Sequence, residues 1–323
     1  TGTVPLALCS AMLVEMFLDG NLLSGTIPSS IGQRCTNLSV LYLDHNKIHG
    51  SIPTSLGSMA LVQLSVSHND LTGTLPRTLQ PMLEVLEVSM NQLHGQLPPN
   101  FASFTALRIL SVNANRLSGT IPEYIGDNML QLQAVMLSKN RFNGTIPANI
   151  KNLTKLRSLS IADNSLTGSI PDVFEHMSTL IMLNISMNSL TSTIPNSVYN
   201  LTDALFVSLS HNSLVGTIAP AVSQLQSLTS LVLSNNRLSG NLPGAMGSMP
   251  LLQYVFLNDN KLGGSLPSAI AQMSSLEVLF LQNNVLSGPL SGVFDTDSAA
   301  VVDSVEGSGA PGLNNLTAIQ LGN

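Results

Sequence analysis

The sequence contains few charged residues, few aromatic residues and no long apolar run. Charged residues make up 9% of the 323 positions, aromatic residues make up 4%, and there is no Trp. An ordinary soluble domain has about 25% charged residues. With 12 Lys and Arg and no basic stripe, the chain is not expected to bind nucleic acid. No apolar stretch reaches the roughly 18 residues that predict a transmembrane helix, yet a hydrophobic content of 44% is ample for a core.

An internal repeat dominates the sequence and follows the pattern Leu-x-x-Leu-x-Leu-x-x-Asn-x-Leu. Successive Asn residues are 25, 23, 22, 24 and 25 positions apart, and then 24 apart six times. Two residues after every Asn stands Leu, Ile or Phe. The twelve residues at this position are Asn21, Asn46, Asn69, Asn91, Asn115, Asn140, Asn164, Asn188, Asn212, Asn236, Asn260 and Asn284. A fixed period of this length predicts a solenoid of stacked coils.

Each repeat predicts one coil with a short strand at Leu-x-Leu, for example at positions 231–233. Side chains alternate along a strand, so the two Leu point into the core and the residue between them points out. One coil cannot bury its own Leu face, whereas stacked coils bury a continuous core. The Asn amide follows the strand and is expected to donate to backbone carbonyls of the neighbouring coil, forming a ladder.

A second motif, Leu-x-Gly-x-Ile/Leu-Pro, follows the Asn, as at positions 117–122 and 166–171. Here the sequence resembles the plant-type leucine-rich repeat of receptor-like kinase and receptor-like protein ectodomains and of polygalacturonase-inhibiting proteins. We therefore expect an α/β horseshoe, a right-handed curved solenoid of about twelve complete repeats. Its concave side would carry a parallel sheet and its convex side irregular or 3-10 structure. The motif departs at Ser192, where Gly is expected, and at 218–220 and 289–290.

The repeat pattern also predicts how the chain is divided. Residues 1–290 are expected to form the solenoid, 291–312 an inserted acidic, Gly/Ser-rich loop, and 313–323 the start of a further repeat. Because both ends match partial repeats, we expect the chain to be a segment of a larger protein. The loop reads either as a tolerated insertion or as a ligand-contacting island.

The repeat register also predicts which side chains cover the concave face. Thirteen aromatic residues occur in the chain, and six of them fall at outward-facing positions of this face. Exposed aromatic side chains are typical binding anchors, although their high β propensity offers a structural alternative. We predict a ligand site on the C-terminal half of the face, formed by Phe206, Val232, Tyr254, Phe256, Val278 and Phe280.

The two cysteines occupy nearly the same place on adjacent coils. Cys9 lies 12 residues before Asn21, and Cys35 lies 11 residues before Asn46. Stacked coils would bring them within disulfide reach, which suits a secreted protein. The alternative is a pair of buried free thiols in a cytosolic solenoid. Candidate glycosylation sequons, about as many as chance predicts, occur at Asn37, Asn143, Asn152, Asn184, Asn200 and Asn315.

No sequence motif predicts catalysis, a metal site or a cofactor. His45 and His68 occupy equivalent positions on adjacent coils, but two histidines do not complete a metal site. We interpret the chain as a non-catalytic, cell-surface, receptor-like segment that binds a protein, a peptide or a small extracellular ligand, with a co-receptor and membrane attachment expected for the full-length protein. The alternatives are a secreted enzyme inhibitor similar to polygalacturonase-inhibiting proteins and a protist surface antigen or adhesin.

Overall fold

The computed structural model describes residues 2–10, 12–288 and 318–320. The chain forms two compact units, Thr1–Ser165 and Leu166–Asn323. Both units repeat one coil: a strand of the main sheet, a turn that carries the repeat Asn, a flanking strand and a short helical turn. The predicted boundary at residue 290, the loop at 291–312 and Asn315 lie outside the described residues.

The main sheet is parallel within each unit, as the repeat predicts. In the first unit its strands are Glu15–Phe17, Val40–Tyr42, Gln63–Ser65, Val85–Glu87, Ile109–Ser111, Ala134–Met136 and Ser158–Ser160. In the second unit they are Met182–Asn184, Phe206–Ser208, Ser230–Val232, Tyr254–Phe256, Val278–Phe280 and Ala318–Gln320. The middle residue of each strand through Val278–Phe280 is buried, so the core lies directly behind the sheet.

The strands begin one residue earlier than Leu-x-Leu predicts. The strand at positions 230–232 ends before Leu233, although the Leu233 amide still donates to the Phe256 carbonyl at 2.8 Å. The extended conformation ends soon afterwards because Asn235 adopts a φ of 55°. As a consequence, Tyr254 and Phe256 are the first and last residues of one strand and face the same way.

Flanking strands and helical turns complete the coils. The flanking strands are Ser24–Thr26, Lys47–Ser51, Asp70–Thr72, His94–Gly95, Arg116–Thr120, Arg141–Gly144, Ser165–Ser169, Ser189–Thr191, Ser239–Asn241, Lys261–Gly264 and Val285–Leu286. The 3-10 helices are Leu6–Leu8, Thr54–Ser58, Pro99–Ser103, Ala148–Asn152, Phe174–His176, Asn196–Asn200, Pro220–Gln224, Gly244–Ser248 and Ser268–Gln272, and the α-helices are Ile31–Arg34 and Tyr124–Asn128. Most of these short helices are 3-10 helices, which confirms the expectation of irregular or 3-10 structure on the side of the coils away from the main sheet.

Glycine spaces the coils where backbones approach closely. A Cβ on Gly247 would lie 2.2 Å from the carbonyl oxygen of Ala269 in the next coil. The Gly of the Leu-x-Gly motif has a different role, because it adopts a positive φ, as at Gly216 with 83°. Ser192 takes that same left-handed conformation at 75° and is the departure noted in the sequence.

Candidate functional site

The repeat Asn side chains bond successive coils together. Asn69 is almost fully buried, and its Nδ2 donates to the Leu43 carbonyl of the preceding coil at 2.9 Å. Its Oδ1 accepts the Ile48 amide of the same preceding coil, also at 2.9 Å. The sequence predicts the donor half of this arrangement only. Because both ends of its amide are used, Asn69 holds the scaffold and is not available to a ligand.

A second ladder runs two residues before the Asn ladder, and sequence analysis missed it. Oδ1 of Asp44 accepts the Ser67 amide at 2.7 Å, and Oγ of Ser67 accepts the Ser89 amide at 3.0 Å. In the same way, Oδ1 of Asn113 accepts the Ser138 amide at 2.7 Å. The recurrence of Asp, Ser and Asn at this position was the available signal. Each of these side chains uses one oxygen to accept a backbone amide of the next coil, so this column contributes to the scaffold.

The six predicted ligand-site residues come together on the solvent-facing side of the second unit's sheet. Val232, Phe256 and Phe280 are direct partners in the strand register. The other three lie two positions earlier, where Tyr254 pairs with Val278 and is separated from Phe206 by one strand. We call this set the apolar patch, and its members are Phe206, Val232, Tyr254, Phe256, Val278 and Phe280. All six side chains are half-buried.

An edge-to-face aromatic pair lies on the last two strands of the apolar patch. The rings of Phe256 and Phe280 have centroids 5.2 Å apart and planes at 86°. Such a pair contributes about 0.5–1.5 kcal/mol beyond the area it buries. Beside it, the Tyr254 hydroxyl donates to Oε2 of Glu277 at 2.7 Å. This hydrogen bond, together with the glutamate charge, raises the pKa of Tyr254.

Polar side chains two and three residues beyond the aromatic pair complete the rim. Asp259 accepts from Nδ2 of Asn258 at 2.5 Å and from Nδ2 of Asn283 at 2.7 Å. Oε1 of Gln282 is buried and has no hydrogen-bond partner among the described residues. An unpaired buried acceptor is unfavourable, so a donor supplied by a ligand would be stabilised there.

The first unit has its own aromatic pair on the sheet. The rings of Phe17 and Tyr42 are 5.2 Å apart with planes at 87°. The Tyr42 hydroxyl donates to Oε1 of Gln63 at 2.5 Å. Burial raises the pKa of Tyr42 most, and the charges of Glu87, Asp44 and Asp19 raise it further.

The structure joins Cys9 and Cys35 in a disulfide, with their Cα atoms 4.8 Å apart. Cys35 is fully buried at the end of the helix Ile31–Arg34, and Cys9 follows the 3-10 helix Leu6–Leu8. The bridge therefore ties the start of the described chain to the coil that contains Tyr42.

Four sequon asparagines are exposed: Asn37, Asn143, Asn152 and Asn200. Asn184 differs, because it lies half-buried at the end of a main-sheet strand. Its Oδ1 accepts from both the amide and the hydroxyl of Ser186, at 3.2 and 2.7 Å. The exposed sequons are thus the better candidates for modification.

The two neighbouring histidines stack on one another. The rings of His45 and His68 have centroids 4.0 Å apart and planes at 18°. Among the described residues, no group of three or more His, Cys, Asp or Glu side chains is placed to hold a metal ion. In the same part of the chain, no helix has the length and apolar character needed to cross a membrane.

Sequence comparison places the repeats in a known family. One leucine-rich repeat profile matches residues 130–190, 154–214, 206–262 and 226–286, and a second matches 37–59, 60–82, 82–104 and 106–128. Receptor-like protein 35 of Arabidopsis thaliana is 35% identical over 126 residues, which are 39% of this chain and 13% of that protein. The chain therefore spans only a small part of this relative.

Solved structures share the fold over most of the chain. A plant peptide hormone receptor, RGFR1 in complex with RGF2, superposes with a TM-score of 0.84 and 34% identity, covering 89% of this chain and 46% of that one. A leucine-rich repeat protein of Leptospira interrogans superposes with a TM-score of 0.70 and 32% identity, covering 85% of this chain and 68% of that one. The chain is thus similar in structure both to a plant receptor and to a bacterial leucine-rich repeat protein.

Proposed function

This chain is a leucine-rich repeat protein of the plant receptor-like type, and from that premise we propose that it is a ligand-binding segment of a cell-surface receptor. The ligand is a protein, a peptide or a small extracellular molecule, and the segment itself performs no catalysis. The superposition on a peptide hormone receptor with a TM-score of 0.84 carries this proposal. The full-length protein would be attached to the membrane and would signal with a co-receptor.

We place the ligand on the apolar patch. The patch combines an aromatic pair with Val232 and Val278 in the adjoining register positions, which gives contiguous apolar surface. Contiguous patches of a few hundred Å² usually mark a partner site. The side chains of Asn258, Asp259 and Gln282 supply polar groups at its rim that can orient a ligand.

The cysteine pair supports an extracellular location. Disulfides form and persist in secreted and cell-surface proteins and are rare in the cytosol. The bridge between Cys9 and Cys35 is therefore consistent with a receptor ectodomain. Exposed sequons such as Asn152 and Asn200 suit the same compartment.

The test is a binding screen with paired variants. The purified chain is probed with a synthetic library of linear peptides, and each binder is measured again with a Phe256→Ala/Phe280→Ala double variant. We expect affinity to fall at least about tenfold, because large, partly buried aromatic side chains dominate binding energy.

A control is Met187→Ala, which removes a more exposed apolar side chain of the same unit outside the patch. Met187 is 50% exposed. Its truncation should leave every affinity unchanged. Peptides that bind the folded double variant as tightly as the parent chain would remove the apolar patch as the ligand site.

A further inference from the structure

The aromatic pair of the first unit lies among carboxylates, and this sets it apart from the apolar patch. Phe17 and Tyr42 are direct partners in the strand register, and Glu87 follows two strands further along the same column. The residues two positions after the pair are Asp19 and Asp44. Glu15 shares the outward face of its strand with Phe17. We call this surface the acidic face, formed by Glu15, Phe17, Asp19, Tyr42, Asp44 and Glu87.

The acidic face carries no cation of its own. Its four strand segments, residues 15–19, 40–44, 63–67 and 85–89, contain four carboxylates and no Lys or Arg. Within the described residues, the recorded ion pair of this unit joins Arg108 to Glu84, outside the face, at 3.7 Å. The negative charge of the face is therefore available to a partner.

Hydrogen bonding leaves part of that charge without a donor. The Ser65 hydroxyl, which is 1% exposed, lies 2.5 Å from Oδ1 of Asp44 and 2.9 Å from Oε2 of Glu87. A hydroxyl has a single hydrogen and can donate it to only one of these oxygens at a time. Oδ1 of Asp44 also accepts the Ser67 amide at 2.7 Å, so Glu87 is the carboxylate left for a donor from outside when the hydroxyl points to Asp44. The pKa of Tyr42, raised by burial and by these charges, is consistent with a negative potential at the face.

The Phe17 ring is exposed beside these carboxylates, whereas Tyr42 is half-buried. Phe17 is 55% exposed although it packs edge-on against Tyr42. A flat ring that faces solvent beside carboxylates matches the guanidinium group, which stacks on aromatic faces and bonds carboxylates with its planar fork.

We propose that the acidic face is a second binding surface, and that its occupant is a basic peptide segment whose arginine lies over Phe17 and Tyr42. Charge complementarity carries the choice of occupant, because carboxylates without a Lys or Arg among their strand segments border an exposed aromatic ring. The surface belongs to the first unit, so it is independent of the apolar patch and of the function proposed there.

The experiment uses a defined probe, the peptide acetyl-Arg-Gly-Arg-Gly-Arg-amide, and its analogue in which citrulline replaces each arginine. Citrulline has nearly the same shape as arginine and no charge. Binding is followed by NMR on the full chain, through the aromatic signals of Phe17 and Tyr42. We expect the arginine peptide to shift these signals and to bind at least about tenfold more tightly than the citrulline peptide at low salt.

Two variants locate the contacts. Asp19→Asn removes one exposed carboxylate, and Phe17→Leu keeps an apolar side chain but removes the ring face. Each is expected to weaken binding about threefold, in line with single exposed charge and cation–π contacts. The control Asp127→Asn makes the same charge change on the helix Tyr124–Asn128 and should leave affinity unchanged.

Three results would overturn the proposal. Equal binding of the citrulline peptide would exclude charge recognition. If Asp127→Asn weakened binding as much as Asp19→Asn does, the overall charge of the chain would explain the attraction, and the acidic face would not. Calcium chloride that shifts the same signals while the arginine peptide does not would replace the peptide surface with a cation site. The Phe256→Ala/Phe280→Ala variant distinguishes the two proposals. It should still bind the arginine peptide even if the apolar patch proves not to be the ligand site.

Discussion

Two aromatic pairs have nearly identical geometry, but different polar side chains surround them. Phe17 with Tyr42 and Phe256 with Phe280 share a centroid distance of 5.2 Å, and their interplanar angles are 87° and 86°. In each case the rings stand on adjacent parallel strands at equivalent register positions. Equivalent backbone positions therefore give the two pairs the same ring packing.

The residue two positions after each ring differs between the two pairs, and we propose that it sets what each pair binds. Asp19 and Asp44 follow the first pair, whereas Asn258 and Gln282 follow the second. Side chains two apart on a strand point to the same face, so these residues border the rings directly. The core and Asn positions thus repeat along the solenoid, whereas the position two residues after the rings carries different polar side chains in the two units.

The largest expected effect breaks the coil beneath the second pair. Gly247→Ala would place a Cβ 2.2 Å from the Ala269 carbonyl oxygen, so the two coils must move apart. We expect the free energy of unfolding to fall by about 3 kcal/mol, as for severe overpacking. Urea denaturation followed by circular dichroism measures it.

The control for this prediction lies in the same 3-10 helix. A Cβ on Gly244 meets nothing closer than Pro267 Cβ at 3.7 Å, an ordinary contact. Gly244→Ala should leave stability unchanged or raise it slightly, because alanine restricts the unfolded chain. Equal destabilisation by both substitutions would contradict the close-approach explanation.

The next prediction concerns the disulfide, whose loss should loosen only the strands of the first aromatic pair. Cys9→Ala opens the bridge to Cys35, which closes a loop with a sequence separation of 26. Loss of such a bridge reduces stability by about 2–4 kcal/mol. Hydrogen exchange should speed up in the strands of Phe17 and Tyr42 and stay constant in those of Phe256 and Phe280. Uniform acceleration across both units would show that the bridge does not act locally.

A smaller effect tests the one Leu-x-Gly motif that lacks its glycine. Ser192 adopts a φ of 75°, a conformation that glycine occupies without strain. Ser192→Gly should raise the free energy of unfolding by about 1 kcal/mol. The reverse change, Gly216→Ser, should lower it by more, because its Cβ would also meet Thr193 Cγ2 at 2.7 Å. Thermal unfolding of the two variants measures both, and a loss of stability in Ser192→Gly would contradict the argument.

The repeat period predicts the fold well because it is a property of backbone spacing. The Asn column, the parallel sheet and the 3-10 side follow from twelve equivalent positions, and so does the register that brings Phe256 beside Phe280. The strand start was misplaced by one residue, since alternation specifies which side chains are buried and not where pairing begins.

Local chemistry was harder to predict from the pattern. The second ladder through Asp44, Ser67 and Ser89 depends on side-chain oxygens reaching backbone amides of the next coil, which spacing alone does not reveal. The left-handed residue before each Asn is another example. His, Asp and Asn are frequent there, and these residues tolerate positive φ better than most, so the signal was present in the sequence.

The last prediction compares two tyrosines, Tyr42 of the first aromatic pair and Tyr254 beside the second. The pKa of Tyr254 is raised mainly by its hydrogen bond to Glu277, whereas that of Tyr42 is raised first by burial and then by Glu87, Asp44 and Asp19. Glu277→Gln should therefore return the pKa of Tyr254 most of the way towards its ordinary value. Glu87→Gln should lower the pKa of Tyr42 only slightly, because burial and two carboxylates remain. Both folded-state pKa values exceed that of an unfolded tyrosine, about 10, so the associated stability is complete below that pH and is lost as the pH rises through the folded-state values. Titration of the tyrosine ring carbons by NMR measures each group separately, and a Tyr254 titration that Glu277→Gln leaves unmoved would show that its environment is not set by that one carboxylate.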